Sequence, residues 1–378
     1  MRILYCIAGT YRPAGMERVL ADKANWLAGH GHAVTIVTTD QRAQADAFPM
    51  DRSIRHVDLG INYEHDNGKN LLNKLIRFPF RRLRHRRALK RLLLEIRPDV
   101  TVSMFCNEVS FLPKIHDGSA KVLEVHFSRF KRLQYGRKGL WGAADRIMSR
   151  MDLRDVRKYD RFVVLTQEDK GYWGDLPNMV VIPNPLARRP ETPSGLEAKV
   201  VAAVGRYAPQ KGLGRLIEAW RLVAIKHPDW QLRLVGDGEL KAELQAQVNR
   251  YGLGNCIQFG RAKEGMDPVY RNTSLLALTS HYEGLPMVLL EAQAYGIPAV
   301  AFTCKCGPRD VITDGVDGLL VPEGDINAFA SALGSLMDHP ERIREMGANA
   351  LRAADRWDLE TIMQKWTELF ENVSSSRR

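Results

Sequence analysis

The stretch that decides the fold is "RILYCIAGTYRPAGMERVLADKANWLAGHGHAVTIVTTD", residues 2–40. It begins with a short, nearly all-apolar run of strand type and continues with apolar residues at helical spacing as far as Gly29 and Gly31. A second apolar run of strand type follows. Strands that are apolar on both faces are typical of a parallel sheet covered by helices on both sides. The strand–helix–strand order therefore predicts an α/β fold.

The same alternation continues through the chain and divides it into two halves. Further strand-type runs ("DVTVSMF", "AKVLEVHF" and "RFVVLTQ") precede a segment near 180–195 that is rich in Pro and Arg, which we interpret as the linker between domains. The alternation then restarts with "KVVAAVGR". We expect two Rossmann-like βαβ domains facing a central cleft, over 1–185 and 196–355. A C-terminal helix over 356–373 is expected to pack back on the first domain.

The charge of the chain indicates an acidic partner. Its 378 residues carry a net charge of +11 and have a pI near 9.5, which suits nucleic acid, an anionic membrane or phosphorylated substrates. The five cysteines are scattered, as is typical of a reducing cytoplasm, and Cys304 and Cys306 have no second pair at ligand spacing, so no metal is predicted. The first apolar run is too short for a signal peptide, and no segment reaches the length of a membrane span. We expect a cytoplasmic protein, peripheral on the inner face of the membrane.

Two junctions between a strand and a helix are candidates for holding phosphate. In "GTYRPAGMERVL" (9–20), Gly15 lets the backbone approach a ligand at a helix N-terminus, although an ordinary βα loop would look the same. In "VGRYAPQKGLGRLIEAW" (204–220), Arg206 follows a strand and Lys211 precedes a helix. A guanidinium, an ammonium and a helix N-terminus that converge would hold a diphosphate. The alternative is that these charges are simply solvated.

A third stretch, "SHYEGLPMVLLEAQAYGIPAV" (280–300), carries two glutamates with no basic neighbour in sequence. Glu283 and Glu291 lie eight residues apart, roughly 12 Å if both were helical, which is too far for two carboxylates acting on one atom. The spacing suits two contacts along one extended ligand, with paired hydroxyls as donors to each carboxylate. Two solvent-facing glutamates are the alternative.

The segment 69–99 is dense in basic residues with interspersed Leu and Phe. A basic amphipathic helix is typical of binding to an anionic membrane surface, whereas the alternative is a core-packing helix with a solvated basic face. A second basic loop, 128–141, lies in the same half of the chain. The residues predicted to contact a membrane or an acceptor are Arg81, Arg82, Arg84, Arg86, Arg87, Lys90 and Arg91.

The combination of "VGRYAPQKGLGRLIEA", "LVGDGE" and "SHYEGLPMVLLEAQAYGIPAV…GPRDVITDGVDGLLV" resembles family 4 glycosyltransferases, which have the GT-B fold. Within that family the chain looks most like bacterial enzymes that build exopolysaccharide, capsule or O-antigen repeat units. The resemblance implies a retaining transfer of a hexose or N-acetylhexosamine from a nucleotide-diphosphate sugar, UDP-linked by family precedent. It also implies a polyprenyl-diphosphate-linked glycan as acceptor and no metal or other cofactor.

The resemblance also implies a role for each matching position. Glu291 would bind the nucleotide ribose, and Glu283 would hold the hydroxyls of the donor sugar. Arg206 and Lys211 would neutralise the departing diphosphate. His126, in "LEVHFSRF", matches the histidine that lies near the reacting sugar and its phosphate. The catalytic residues that the resemblance implies are His126, Arg206, Lys211 and Glu283. The implied donor-binding residues are Gly15, Arg206, Lys211, Glu283, Gly284, Leu285, Pro286 and Glu291.

Two other classes of function remain open from the sequence. A sugar-nucleotide epimerase or a phosphorylase could share the fold, but an epimerase has no use for a lipid acceptor and hence for the basic segment. A nucleic-acid-binding protein is supported by the net charge alone, because the chain carries no helix-turn-helix, zinc-finger or RNA-binding signature. We therefore expect no nucleic-acid partner.

Overall fold

The computed structural model describes residues 1–66, 71–132, 139–261 and 265–377. The chain forms two compact units. Unit 1 comprises Met1–Leu165, Lys170–Pro185 and Glu360–Arg378, and unit 2 comprises Thr166–Asp169 and Leu186–Leu359.

One short segment differs from the boundaries expected from the sequence. Thr166–Asp169 belongs to unit 2, although the expected first domain ran without interruption from 1 to 185. The physical reason is local hydrogen bonding, because the backbone N–H groups of Gln167 and Glu168 donate to the carboxylate of Asp310. The beginning of the expected C-terminal helix also differs, since residues 356–359 belong to unit 2.

The strands are short, and most of them are buried, as the apolar runs predict, whereas Arg55–Asp58 is largely exposed. In chain order they are β1 (Arg2–Ile7), β2 (Ala33–Thr38), β3 (Arg55–Asp58), β4 (Val100–Ser103), β5 (Ala120–Glu124), β6 (Arg161–Val164), β7 (Met179–Val181), β8 (Val200–Val204), β9 (Gln231–Val235), β10 (Ile257–Gly260), β11 (Leu275–Leu278), β12 (Ala299–Phe302) and β13 (Gly318–Val321).

Helices connect most of these strands. In chain order they are α1 (Gly15–Gly29), α2 (Leu71–Ile96), α3 (Gly139–Val156), α4 (Gln167–Trp173), α5 (Leu213–Ala224), α6 (Lys241–Arg250), α7 (Asp267–Arg271), α8 (Met287–Ala294), α9 (Pro308–Val311), α10 (Ile326–Met337), α11 (Pro340–Ala353) and α12 (Leu359–Ser375).

Each unit contains one doubly wound parallel sheet. The strand order is β3-β2-β1-β4-β5-β6-β7 in unit 1 and β10-β9-β8-β11-β12-β13 in unit 2, and all neighbours pair in parallel. The prediction of two Rossmann-like α/β domains is therefore confirmed. In such sheets ligands bind at the carboxyl ends of the strands where the order reverses, which here means β1 and β4 in unit 1 and β8 and β11 in unit 2.

The two faces of the sheet in unit 1 are covered by different helices. Leu4 and Cys6 of β1 face a core that includes Leu92 of α2 and Val156 of α3. Tyr5 points to the opposite face, because successive strand residues alternate, and there it lies near a lysine of α1. The outer surfaces of α2 and α3 therefore lie on the same side of unit 1.

Within the basic segment 69–99 the structure describes α2 over Leu71–Ile96, whose apolar residues do not form one surface, and residues 69 and 70 lie outside the described residues. Leu89, Leu92 and Leu93 are buried in the core of unit 1, whereas Phe80 and Leu83 are exposed. The reason is helical phase, since residues three and four apart share a face and the two groups lie on opposite faces. The buried leucines therefore match the core-packing alternative, whereas Phe80 and Leu83 lie on the exposed basic face.

Candidate functional site

Lys211 and Glu283 form an ion pair in unit 2, although the sequence analysis identified them as candidates in two separate loops. The distance from Lys211 Nζ to Glu283 Oε1 is 2.7 Å, and the two side chains are 18% and 7% exposed. Lys211 lies in the loop after β8 and Glu283 in the loop after β11, the two neighbouring strands at which the sheet order reverses. The basic partner that Glu283 lacks in sequence is therefore supplied at the ligand-binding edge of the sheet.

The loop that carries Lys211 is held in place by backbone geometry. Gly212 has a left-handed φ of 58°, and a Cβ on it would lie 2.3 Å from the backbone oxygen of Thr279. The side-chain amide of Gln210 donates to the backbone oxygen of Tyr282 at 3.0 Å. Because these contacts join the two loops directly, the ammonium of Lys211 and the carboxylate of Glu283 are preorganised.

Glu291 lies one turn inside α8, and its orientation is set by a tyrosine that the sequence did not reveal. The hydroxyl of Tyr270, which is buried, donates to Glu291 Oε2. The ring of Tyr270 packs against that of Tyr295 with the centroids 4.9 Å apart. No local pattern connects Tyr270 with Glu291, because the two residues belong to different helices, α7 and α8.

The remaining donor-binding residues predicted in unit 2 lie beside this pair. Arg206 is exposed just after β8 and forms no ion pair within the part of the chain that the structure describes. Gly284 is half-buried, while the side chains of Leu285 and Pro286 are buried. Pro286 precedes α8 instead of lying in its first turn.

In unit 1 the predicted histidine lies at the carboxyl end of β5. The His126 side chain is 7% exposed, and its Nε2 is 3.1 Å from Oε1 of Glu124. Neither ring nitrogen has a well-aligned hydrogen-bond partner within the described residues. Gly15 is exposed at the first position of α1, with open space where a Cβ would lie.

Glu124 is itself part of a buried ion pair. Lys23 Nζ, on α1, donates to both carboxylate oxygens at 2.8 and 2.7 Å, and it lies 3.4 Å from the ring centroid of Trp366 on α12. Burial alone would raise the pKa of Glu124, but Lys23 and His126 lower it to about 2. Burial lowers the pKa of Lys23, and the carboxylate opposes that effect.

Sequence reasoning missed this ion pair, although a weak signal was present. Lys23 occurs at helical spacing from Leu20 and Leu27, and is thus a lysine on the apolar face of α1. Glu124 is a carboxylate at the end of a strand in which every residue is buried. Charged residues are rarely fully buried unless they are paired, so each of these two positions indicated a nearby partner of opposite charge.

The basic residues predicted on α2 fall into two groups. Arg81 and Arg82 are half-buried, and Arg82 Nη2 donates to the hydroxyl of Ser110 at 2.7 Å. They therefore attach α2 to the rest of unit 1. The exposed residues are Arg84, Arg86, Arg87, Lys90 and Arg91. In the second basic loop, 133–138 lie outside the described residues, and Arg132 pairs with Asp152 at 2.9 Å.

A search of the described residues finds no group of three or more His, Cys, Asp or Glu side chains that could hold a metal ion. Cys304 and Cys306 are buried, and the thiol of Cys306 donates to Asp169 Oδ1 at 3.3 Å. Among the helices described, none combines the length and the apolar character needed to cross a membrane.

Comparison with protein families gives a match in each half of the chain. Residues 13–187 match the model described as Glycosyltransferase Family 4, and residues 187–353 match the model described as Glycosyl transferases group 1. The chain is 34% identical over 221 residues to the amylovoran biosynthesis glycosyltransferase AmsD of Erwinia amylovora. That alignment covers 56% of this chain and 62% of the relative, so the chain spans less than two thirds of the length of this relative.

Solved structures with similar folds cover nearly the whole chain. A sucrose-phosphate synthase from Thermosynechococcus elongatus superposes with a TM-score of 0.80 at 19% identity, covering 99% of each chain. A TarM variant from S. aureus, solved with fondaparinux, α-GlcNAc-glycerol and UDP, superposes with a TM-score of 0.76 at 16% identity. It covers 98% of this chain and 99% of its own. At these identities the likeness shows a common fold.

Proposed function

The chain belongs to family 4 of the glycosyltransferases, which have the GT-B fold, and from that premise we propose that it transfers a sugar from a nucleotide-diphosphate donor during the biosynthesis of a surface polysaccharide. The observation that carries the proposal is the preorganised pair of Lys211 and Glu283 at the edge of the unit 2 sheet where ligands bind. The name of the Erwinia relative and the UDP bound to TarM support a UDP-linked donor and a polysaccharide product. The donor sugar is proposed to be a hexose or an N-acetylhexosamine.

The donor is held along the loops of unit 2. Glu291, oriented by Tyr270, accepts hydrogen bonds from the ribose hydroxyls. Lys211 and Arg206 bind the diphosphate, together with the N-terminus of α5. Glu283 accepts hydrogen bonds from the sugar. Lys211 and Glu283 neutralise each other within the ion pair, which keeps both side chains aligned at the donor site.

The chemistry requires stabilisation of charge that develops on the leaving group. Cleavage of the sugar–phosphate bond places negative charge on the diphosphate, and fixed cationic donors stabilise it most when they need no reorganisation. Loss of one such donor costs about 3–4 kcal/mol of barrier, so Lys211→Met is expected to lower kcat by about 10²–10³. We propose a retaining transfer without a metal, in which the acceptor hydroxyl attacks from the side of the leaving group and a phosphate oxygen takes its proton.

A thermal-shift panel tests the donor site. UDP at about 100 times its dissociation constant should stabilise the wild type by about 2.7 kcal/mol. GDP, ADP and NAD serve as comparison ligands, and each titration is repeated with EDTA. Glu291→Ala should lose the UDP shift, while Glu345→Ala, an exposed glutamate on α11, should keep it. A protein that responds to no nucleotide, or to NAD alone, would overturn the proposed function.

The acceptor is proposed to be a glycan carried on a polyprenyl diphosphate, reached from the inner face of the cytoplasmic membrane. Support comes from the outer face of α2, where Phe80 and Leu83 are exposed among the predicted basic residues that are themselves exposed. On the same side of unit 1, α3 exposes Ile147 and Met151. Basic and apolar side chains on one surface suit the headgroup region of an anionic bilayer.

Sedimentation with vesicles tests this surface. Each basic residue near an anionic bilayer contributes about 1 kcal/mol, so Arg87→Gln/Arg91→Gln should weaken binding to phosphatidylglycerol vesicles about thirtyfold. Arg250→Gln/Arg344→Gln removes the same charge from exposed positions of unit 2 and should bind like the wild type. Binding to phosphatidylcholine vesicles should be weak for all three proteins. Equal losses for the two double variants would contradict a specific role of α2.

A further inference from the structure

The buried ion pair of unit 1 lies directly beside the predicted catalytic histidine. Lys23 and Glu124 are 0% and 1% exposed, and Glu124 Oε1, which accepts from Lys23, is also 3.1 Å from Nε2 of His126. Glu124 and His126 are two residues apart at the end of β5, so both side chains point to the same face of the sheet. One carboxylate therefore links α1 to the histidine.

Stability alone does not account for such an arrangement. Removing two charges from water costs about as much as their attraction returns, and apolar replacements of buried pairs are often neutral or stabilising. The other buried charge on this strand, Lys121, lies near the amino end and pairs with Asp117, whereas Val122 and Leu123 between the two charges are apolar and fully buried. A buried charged group at the carboxyl end of a strand in this type of fold is more easily explained by a role at the ligand site.

The C-terminal helix completes the surroundings of the pair. The ring of Trp366 lies 3.4 Å from Lys23 Nζ, within the range of a cation–π contact, and Trp366 is itself 1% exposed. Tyr5 of β1 also lies near the pair, with its ring centroid 5.6 Å from the ammonium. These aromatic rings exclude water, which strengthens the interaction of the carboxylate with both of its neighbours.

We propose that Glu124 is a positioning residue that fixes the orientation and the tautomer of His126, and that Lys23 and Trp366 hold the carboxylate in place. A carboxylate beside Nε2 favours a proton on that nitrogen. Nδ1 is then the unprotonated nitrogen, which can act only as a hydrogen-bond acceptor. The inference rests on the proposed function in one respect, since it assigns the positioned histidine to the reacting sugar.

The informative variant is Lys23→Met/Glu124→Gln, because either single substitution leaves a buried group without its partner and lowers the melting temperature. Protein labelled with ¹⁵N-histidine is studied at pH 8.5, where an ordinary imidazole is neutral. The resonances of His126 are identified by their loss in His126→Gln. The wild type should show the proton on Nε2, and the double variant should show a mixture of tautomers.

Activity is measured in parallel as UDP release from UDP-glucose, UDP-galactose and UDP-N-acetylglucosamine. The double variant should lose about 10–100-fold in kcat with a KM for the donor within twofold of the wild-type value, because a displaced histidine affects the reaction more than binding. Lys199→Met/Asp229→Asn, which removes an exposed ion pair of unit 2, should match the wild type in both measurements.

The outcomes separate the two proposals. Unchanged ring resonances of His126 in the double variant would overturn the positioning role of Glu124, whatever the activity. Trp366→Leu should move the same resonances in the same direction by a smaller amount, and an unchanged spectrum would remove α12 from the proposal. A wild type that releases no UDP from any donor and is stabilised by no nucleotide would overturn the proposed function, and the tautomer would still decide the role of Glu124.

Discussion

The buried pair in unit 1 should make that unit sensitive to acid. Glu124 has a pKa of about 2 in the folded protein, against 4.5 for an ordinary glutamate. Because the folded pKa is depressed, the stabilisation is fully present above about pH 5 and is lost as the pH falls toward 2. A difference of about 2.5 pKa units corresponds to about 3 kcal/mol in total. About 2 kcal/mol of this should disappear between pH 5 and pH 3.

The perturbation that isolates this contribution is again Lys23→Met/Glu124→Gln. Every other carboxyl group titrates in both proteins, so the difference between their pH profiles reports the pair. Arg55→Met/Glu95→Gln is the matched control, because that pair lies in the same unit with side chains that are 54% and 58% exposed. Exposed pairs contribute about 0–1 kcal/mol, so this control should follow the wild type closely.

The assay is urea unfolding at pH 5, 4 and 3, followed by circular dichroism and tryptophan fluorescence, with a separate transition fitted for each unit. Between pH 5 and pH 3 the free energy of unfolding of unit 1 should fall by about 2 kcal/mol more in the wild type than in the Lys23/Glu124 variant. Equal losses in the two proteins would refute the reasoning, since they would mean that folding does not lower the pKa of Glu124.

Three further predictions concern other parts of the molecule. Gly212→Ala should destabilise unit 2 more than Gly315→Ala. Both glycines have a left-handed φ, and an alanine in that conformation costs about 1–2 kcal/mol. A Cβ at Gly212 would also clash with the backbone oxygen of Thr279, whereas a Cβ at Gly315 would meet nothing within 4 Å. Urea unfolding measures this, and equal losses would contradict the clash. Tyr270→Phe should weaken UDP binding about tenfold in calorimetry, because the hydroxyl orients Glu291, and unchanged affinity would exclude that role. Raising the salt concentration to 1 M should release the protein from phosphatidylglycerol vesicles, since exposed charges are then screened within about 3 Å, and binding that persists would indicate apolar insertion.

The parallel sheets could be predicted from the sequence because their signal is local. Each strand is a short apolar run, and each helix between strands has its own periodicity and its own stop signals, so the strand–helix alternation can be read without knowing any distant contact. The loops around Lys211 and Glu283 were predictable for the same reason, since each is a glycine-containing junction between a strand and a helix.

The partners of these residues could not be predicted in the same way. Lys211 and Glu283 meet because β8 and β11 are neighbours in the sheet. Along the chain, three helices (α5, α6 and α7) and two strands (β9 and β10) lie between β8 and β11. The contact between Lys23 and Trp366 depends on α12 returning to unit 1 after the whole of unit 2. Such pairings follow from strand order and helix docking, for which a single sequence carries no local signal.

The discontinuity of unit 1 has a consequence for biosynthesis on the ribosome. Residues 186–359 of unit 2 emerge before α12 does, so most of unit 2 can fold while Lys23 still lacks the indole ring that covers it. Unit 1, which contains the residues translated first, is therefore completed after most of unit 2. During that interval the surface of unit 1 that later buries Trp366 and Phe370 is open to solvent, and chaperones that recognise incompletely folded chains would be expected to act on the nascent chain at this stage.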